Sequence, residues 1–168
     1  IFKKYFKNFR KSGKKFITNI DGKKSKISIV DTGLHTMTGG RIKKIEKYIN
    51  TNETFMFTYG DGISSVNLRK LLDFHLKKNK LITVTAVRPP ARFGEITLKK
   101  DLVSSFKEKP QVDKGWINGG FFVANKKFLS LIKKNDILEK SPLEKACKIK
   151  QLSAFKHRGF WKCMDVKR

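Results

Sequence analysis

Apolar side chains follow two different periods in the middle of the chain. Residues 54–59 form a short, almost continuous apolar run that ends in a Gly-Asp-Gly turn at residues 60–62, which is typical of a buried parallel strand. Residues 67–78 place leucines three and four positions apart, which predicts an amphipathic helix, and residues 81–87 return to a strand pattern. The order strand, turn, helix, strand predicts a βαβ unit. His75 falls on the apolar side of the helix, where we expect a packed, hydrogen-bonded histidine and not a ligand.

Weaker patterns complete the outline. Before the βαβ unit we predict the end of a helix at residues 1–10, a polar turn-rich connection at 11–25, a strand at 26–30 and a helix at 41–50. After it we predict a hairpin from strands at 93–98 and 102–106, strands at 116–124, 151–156 and 160–164, and helices at 128–133 and 142–150. The result is one α/β domain over residues 1–168, with a mixed, mainly parallel central sheet and a small antiparallel insertion.

The ends of the chain and its apolar content limit the class of protein. The start lacks an initiator Met and a signal-peptide pattern, and the end falls inside a strand pattern, so we expect a domain truncated at both ends. No apolar run reaches the roughly 20 residues of a membrane-spanning helix, so we expect a soluble protein without a membrane partner. Cys147 and Cys163 have neither metal-site nor disulfide spacing, which favours two free thiols in a reducing cytoplasm.

The net charge of +25 taken alone indicates a nucleic-acid or membrane partner. The makeup of the charge argues against specific nucleic-acid binding, because the chain has 32 Lys and only 7 Arg, and Arg makes the bidentate contacts of base readout. The lysines are scattered along the whole chain in pairs, which favours a solvated surface over a binding patch. Such a surface still attracts anionic substrates such as nucleoside triphosphates.

Two aspartates follow predicted strands. Asp61 lies between two glycines at a strand end, where ligands bind in open α/β sheets and where a carboxylate suits Mg²⁺. Asp165 follows the aromatic strand at 160–164 and is a second candidate ligand for the same cation. The alternatives are a plain Asp-Gly turn for Asp61 and a surface residue for Asp165.

Three further segments have polar residues suited to ligand binding. Glu108 and Lys109 follow a strand that Pro110 ends, and such a pair can hold a sugar hydroxyl and a phosphate; an exposed hairpin end is the alternative. Asn118 precedes two glycines inside a strand, which indicates either a β-bulge or the close approach of a sugar. Residues 32–41 form a glycine-rich loop that leads into a helix and can contact a base edge or a phosphate.

In this order the segments resemble the nucleotide-sugar pyrophosphorylases, and among them the glucose-1-phosphate cytidylyltransferases. The matching motifs cover nearly the whole chain, and they are DTG at 31–33, MTGGR at 37–41, FTYGDG at 57–62, PPARFG at 89–94, FKEKP at 106–110, INGGFFV at 117–123 and GFW at 159–161. The resemblance implies a Rossmann-like three-layer nucleotidyltransferase fold. It also implies cytidylyl transfer from CTP to α-D-glucose 1-phosphate with Mg²⁺, for deoxysugar, O-antigen or other surface polysaccharide synthesis.

The resemblance also implies roles for individual residues. Asp61 and Asp165 would hold the metal and, with Lys109, form the catalytic set; Thr36, Gly39, Arg41 and Gly60 would contact the nucleotide; Glu108, Lys109, Asn118 and Gly119 would contact the sugar phosphate. The family's amino-terminal glycine-rich phosphate loop is absent from these residues, as is the carboxy-terminal tail that helps the family to oligomerise. The alternatives are therefore UTP or dTTP as the donor, an inactive part of the enzyme, or a basic nucleic-acid-binding protein. A homo-oligomer is expected at full length.

Overall fold

The computed structural model describes residues 15–20, 23–49, 54–89, 95–107 and 115–164. The chain divides into two compact units, one of residues 1–50 and 129–144 and the other of residues 51–128 and 145–168. In chain order the elements are β1 (Lys15–Ile20), β2 (Lys23–Ser28), α1 (Thr38–Ile45), β3 (Thr54–Thr58), β4 (Gly62–Ser64), α2 (Leu68–Lys78), β5 (Ile82–Val87), β6 (Glu95–Lys99), β7 (Leu102–Lys107), β8 (Ile117–Asn125), α3 (Ser141–Lys148), β9 (Leu152–His157) and β10 (Trp161–Cys163), with 3₁₀ helices at Glu46–Tyr48 and Lys126–Leu131.

The first unit contains an antiparallel hairpin of β1 and β2, in which Lys15 lies opposite Ser28 and Ile20 opposite Lys23. The prediction of a turn-rich connection over residues 11–25 is therefore wrong for β1 and for the start of β2. Half of the residues of β1 are apolar (Phe16, Ile17 and Ile20), and its backbone pairs with the more polar β2 because ladder hydrogen bonds do not depend on the side chains. The predicted helix at residues 1–10 lies outside the described residues.

Helix α1 begins three residues before the predicted helix at 41–50 and gives way to a 3₁₀ helix after Ile45. Its first turn contains Gly39 and Gly40, and both are buried. Gly40 N donates a hydrogen bond of 3.1 Å to the carbonyl oxygen of Asp136 in the same unit. A Cβ on Gly39 would lie 2.7 Å from that oxygen, and one on Gly40 would run into the carbonyl oxygen of Lys134. The two glycines therefore let the helix start against the backbone of residues 134–136.

The second unit is built on a four-stranded sheet in the order β3-β8-β5-β9. Strands β5 and β9 pair in parallel, and β8 is antiparallel to both β3 and β5. Three of the four strands therefore run in one direction and β8 runs against them, which confirms a mixed sheet, although only one of its three strand pairs is parallel. The predicted βαβ unit corresponds to β3, α2 and β5, with β8 inserted between the two parallel strands.

The sheet and α2 bury only part of the apolar side chains that the patterns predicted, since Met56 of β3 and Leu68 and Leu76 of α2 are exposed. Phe122 of β8 is 1% exposed and stacks on Phe57 of β3, with 4.6 Å between the ring centroids. Leu71 of α2 and Ile82 of β5 are fully buried. Phe74 of α2 meets Phe155 of β9 edge to face at 5.5 Å, so the helix packs on β5 and β9 through large apolar groups.

His75 is 3% exposed on the inner face of α2, and its Nδ1 lies 2.8 Å from Thr83 Oγ1. That hydroxyl lies 2.7 Å from Ser153 Oγ, so a polar chain connects α2, β5 and β9 inside the core. Burial lowers the pKa of His75, because the charged imidazolium is desolvated there. The prediction of a packed, hydrogen-bonded histidine is confirmed.

Strands β6 and β7 form the predicted antiparallel hairpin insertion. Strands β4 and β10 pair antiparallel, with Cys163 opposite Gly62. Cys147 is an exposed thiol and Cys163 a half-buried one. None of the helices in the described part of the chain has the length and apolar character needed to cross a membrane.

Candidate functional site

The turn between β3 and β4 is held by its backbone from two sides. Tyr59 N donates to the carbonyl oxygen of Gly120 at 3.0 Å, and Met164 N donates to the carbonyl oxygen of Asp61 at 2.8 Å. The side chain of Asp61 is exposed, and among the described residues it has no hydrogen bond or ion pair. The turn therefore presents a carboxylate to solvent on a fixed backbone.

Asp165, the second predicted metal ligand, lies outside the described residues. The residue before it is Met164, whose N donates the hydrogen bond to the carbonyl oxygen of Asp61. Met164 directly follows β10, the strand that pairs with β4. Among the described residues no group of three or more His, Cys, Asp or Glu could hold a metal ion. From the described part of the chain, a cation at this position would have Asp61 as its carboxylate ligand. Such a site fits Mg²⁺, because Mg²⁺ takes one or two carboxylates and completes its shell with water and substrate oxygens.

Asn118 is an exposed residue at the start of β8, and its amide is oriented by two partners. Its Nδ2 donates to the Tyr59 hydroxyl at 3.1 Å, and its Oδ1 accepts from Gly120 N at 2.9 Å. The carbonyl oxygen of the next residue, Gly119, accepts from the indole nitrogen of Trp161 at 2.8 Å. We call Tyr59, Asp61, Asn118, Gly119 and Trp161 the strand-end cluster. Tyr59 and Trp161 were not predicted as site residues, although both lie within the motifs at 57–62 and 159–161.

The pair Gly119-Gly120 forms a β-bulge, which was one of the two structures predicted for the glycines after Asn118. Residues 119–121 of β8 lie opposite the single residue Thr85, because the register shifts there. A Cβ on Gly119 would lie 2.7 Å from Val87 Cγ1, and Gly120 has a φ of +78° with the Tyr59 ring 2.7 Å from its Cβ position. The packing of the cluster itself requires both glycines, and contact of Gly119 with a sugar stays a prediction.

The glycine-rich loop of the first unit is organised around Thr32. Arg41 donates from Nη1 to Thr32 Oγ1 at 2.6 Å and from Nη2 to the carbonyl oxygen of Leu34 at 3.1 Å. The Thr36 hydroxyl donates to the carbonyl oxygen of Thr32 and accepts from Lys44 Nζ at 2.9 Å. The structure thus brings Thr36 and Arg41 together in one loop through hydrogen bonds to its own backbone and hydroxyls. His35 of the same loop is exposed.

The predicted site residues fall into three groups. Thr36, Gly39 and Arg41 lie in the first unit; Gly60, Asp61, Asn118 and Gly119 lie in the second; and Glu108, Lys109 and Asp165 lie outside the described residues. Of these, the structure brings the second group together at one end of the sheet.

The chain is similar to several known proteins. It is 44% identical over 144 residues to a glucose-1-phosphate cytidylyltransferase of Salmonella typhimurium and 39% identical over 143 residues to a probable glucose-1-phosphate cytidylyltransferase of Bacillus subtilis. Each alignment covers 84% of this chain and 56% of the relative, so the chain spans little more than half the length of these relatives.

Among solved structures, HddC from Yersinia pseudotuberculosis complexed with GMP-PN has a TM-score of 0.62 at 22% identity, over 87% of this chain and 64% of that one. This likeness shows the fold alone. The sequence model for nucleotidyl transferases matches residues 11–162, which is most of the chain. The chain therefore belongs to the nucleotidyl transferase family.

Proposed function

We propose that the protein containing this chain transfers a cytidylyl group from CTP to α-D-glucose 1-phosphate, giving CDP-glucose and pyrophosphate. The membership of the nucleotidyl transferase family supports the reaction type, and the 44% identity to a glucose-1-phosphate cytidylyltransferase supports the two substrates.

One observation of the structure carries this proposal: the hydrogen bond of 2.8 Å between Met164 N and the carbonyl oxygen of Asp61. It joins the turn at residues 60–62 to the end of β10, although the two segments are about a hundred residues apart in sequence. Because Met164 immediately precedes Asp165 in sequence, this bond supports Asp61 and Asp165 as the two ligands of one cation. Nucleotidyl transferases of this family generally use a divalent metal, and we assign Mg²⁺ to these two carboxylates.

The substrate contacts are part of the same proposal, and the orientation of the Asn118 amide supports one of them. Gly60 and Asn118 lie at the strand ends of the second unit, and the amide of Asn118 is oriented by Tyr59, so it can hydrogen-bond a sugar hydroxyl. Glu108 and Lys109 would contact the sugar phosphate with Asn118 and Gly119. Thr36, Gly39 and Arg41 would contact the nucleotide from the ordered loop of the first unit.

The reaction needs no nucleophile from the protein. A phosphate oxygen of glucose 1-phosphate attacks the α-phosphorus of CTP, the new P–O bond forms, and the bond from the α-phosphorus to the bridging oxygen of pyrophosphate breaks. The residues of the site would align the two substrates and offset negative charge as it moves to the leaving group. Mg²⁺, when bound, would supply most of that positive charge.

The test is pyrophosphate release by the intact protein with glucose 1-phosphate, Mg²⁺ and each of CTP, UTP, dTTP and ATP in separate assays. We expect kcat/KM for CTP to exceed the other three values by on the order of 10²-fold, because base edges are read by hydrogen bonds that a wrong base leaves unmade. Equal or higher kcat/KM with UTP or dTTP would assign a different donor, and no turnover with any of the four would exclude the activity.

A further inference from the structure

Three cationic side chains converge on a single indole ring in the second unit. The Cζ of Arg88 lies 4.8 Å from the centroid of the Trp116 ring, Lys156 Nζ lies 5.7 Å from it, and Arg158 Cζ lies 5.8 Å from it. We call these four residues the Trp116 cluster. One cation over a tryptophan is a common contact in proteins, whereas three at one ring concentrate positive charge at one point.

The sheet register explains why these residues meet. Ala86 of β5 pairs with Lys156 of β9 on one side and with Asn118 of β8 on the other. Directly paired residues project from the same face of a sheet, so Lys156 and Asn118 share a face. Trp116 precedes Asn118 by two positions, and period-two alternation keeps it on that face as the chain enters β8.

Arg88 and Arg158 follow Ala86 and Lys156 by two positions, just beyond the carboxyl ends of the parallel strands β5 and β9. The carboxyl ends of parallel strands are where ligands bind in open α/β sheets. The Trp116 cluster is therefore in a binding position, in the row next to Asn118 of the strand-end cluster.

Two of the three charges of the cluster, those of Lys156 and Arg158, are not balanced within the described part of the chain. Lys156 and Arg158 are exposed, and neither has a hydrogen bond or an ion pair with a described residue. The aromatic ring attracts each cation but accepts none of their N–H donors in a directed hydrogen bond, and the cations repel one another. An anion with several acceptor oxygens would bind the free N–H groups and reduce the repulsion.

We propose that the Trp116 cluster is a binding site for a phosphomonoester dianion. Arg presents a planar set of donors that matches phosphate oxygens, and Lys adds a mobile point charge. The two unpaired cations, Lys156 and Arg158, match the charge of a dianion better than that of a carboxylate monoanion. Neither the family resemblance nor the comparisons give these four residues a role. The dianion has two possible sources, the phosphate of a sugar 1-phosphate or free inorganic phosphate, and only the first rests on the proposed function.

The experiment compares the intact protein with two double variants that lose the same charge. Lys156→Gln with Arg158→Gln removes the two exposed cations of the cluster, and Lys145→Gln with Lys148→Gln removes two exposed lysines of α3. Isothermal titration calorimetry without CTP measures the dissociation constants of inorganic phosphate, glucose 1-phosphate and glucose. Circular dichroism checks that each variant is folded, and the single variant Lys156→Gln replaces the first double variant if that protein is not.

We expect the dissociation constant of inorganic phosphate to rise on the order of tenfold in the Lys156/Arg158 variant and less than twofold in the α3 variant, because charge-assisted hydrogen bonds are lost only in the first. A parallel rise in KM for glucose 1-phosphate, with KM for CTP unchanged, would identify the substrate's phosphate as the source; an unchanged KM would identify free phosphate. If the Lys156/Arg158 variant loses phosphate binding but the unmodified protein does not turn over CTP, the phosphate site would stand and the proposed function would be rejected. Equal phosphate affinity in all three proteins would overturn the proposal.

Discussion

The two glycine-containing turns of this protein are held in opposite ways. In the loop at residues 32–41 the polar side chains hold the turn, since Arg41 and Thr36 bind the backbone and hydroxyl of Thr32. In the turn at residues 60–62, backbone hydrogen bonds to Gly120 and from Met164 hold the turn. The carboxylate of Asp61 therefore stays exposed. A side chain that orders its own loop has fewer donors left for a ligand, whereas Asp61 keeps its full capacity as an acceptor.

The glycines of the two turns differ in the same way. A Cβ on Gly40 would overlap the backbone of Lys134, whereas a Cβ on Gly60 would have nothing within 4 Å. Gly60 also lacks a positive φ, so neither crowding nor backbone conformation requires a glycine there. The first glycine serves the packing of the protein, and the second leaves open space beside Asp61, which is what a substrate approaching the backbone would need.

The largest effect that this comparison predicts is on catalysis. Asp61→Asn in the intact protein should lower turnover by on the order of 10²–10³-fold, because one preorganised charge is lost, while the unfolding midpoint stays unchanged. The measurement is kcat with CTP, glucose 1-phosphate and Mg²⁺, beside thermal unfolding. The matched control is Asp73→Asn, which removes an exposed carboxylate of α2 and should leave kcat unchanged. Near-normal turnover of the Asp61 variant would show that Asp61 does not bind a catalytic metal. The functional difference that we infer between the two turns would then be wrong.

The second prediction concerns stability. Gly40→Ala should lower the free energy of unfolding by about 3 kcal/mol, because the new methyl group meets backbone atoms that cannot rotate away. Gly60→Ala should change the same quantity by no more than about 0.5 kcal/mol, since its Cβ enters open space. Urea unfolding of both variants gives the two values. If the two losses were equal, the roles that we assign to these glycines would be wrong.

The smallest predicted effect is a pH dependence of folding stability that comes from the second unit, through His75. His75 of the second unit is buried with a lowered pKa, whereas His35 of the first unit is exposed. The unfolded chain takes up a proton on this histidine near the ordinary pKa of 6.5, before the folded protein does. Stability should therefore fall as the pH drops below about 6.5, and the loss should level off below the lowered pKa of the folded state.

Urea unfolding between pH 7.5 and 5 measures this slope, and the His75→Gln variant should flatten it. The glutamine amide can still reach Thr83 but does not titrate. A slope that is the same in both proteins would show that another group causes it.

The strongest periodic patterns gave the most accurate elements. The helix predicted at residues 67–78 is α2 to within one residue, and the strand predicted at 81–87 is β5, because burial of α2 on the sheet imposes the periods that the sequence shows. The hairpin of β1 and β2 was missed, although the strand predicted at 26–30 overlaps the end of β2, because the apolar residues of β1 do not alternate and β2 begins with Lys and Ser. The Asp-Gly pair at residues 21–22 is itself a hairpin signal that was interpreted only as a turn.

The site was predictable as a set of motifs but not as a set of contacts. The glycines around Asp61 and after Asn118 indicated strand ends and a bulge, and both are present. The bond from Asn118 to the Tyr59 hydroxyl and the bond from Trp161 to Gly119 depend on the register of β8 between β3 and β5. Register is fixed by pairing across the whole sheet, which single segments do not encode. The Trp116 cluster has the same origin.

The insertion of β8 between β3 and β5 has a consequence during synthesis of the chain. Strand β3 leaves the ribosome about 60 residues before β8, its pairing partner among the described strands. At 5–20 residues per second this interval lasts roughly 3–12 s, during which Phe55 and Phe57 have no neighbouring strand from β8. The nascent chain therefore exposes an unpaired apolar strand edge to which another chain or a chaperone can bind. In the folded sheet that edge is covered by β8.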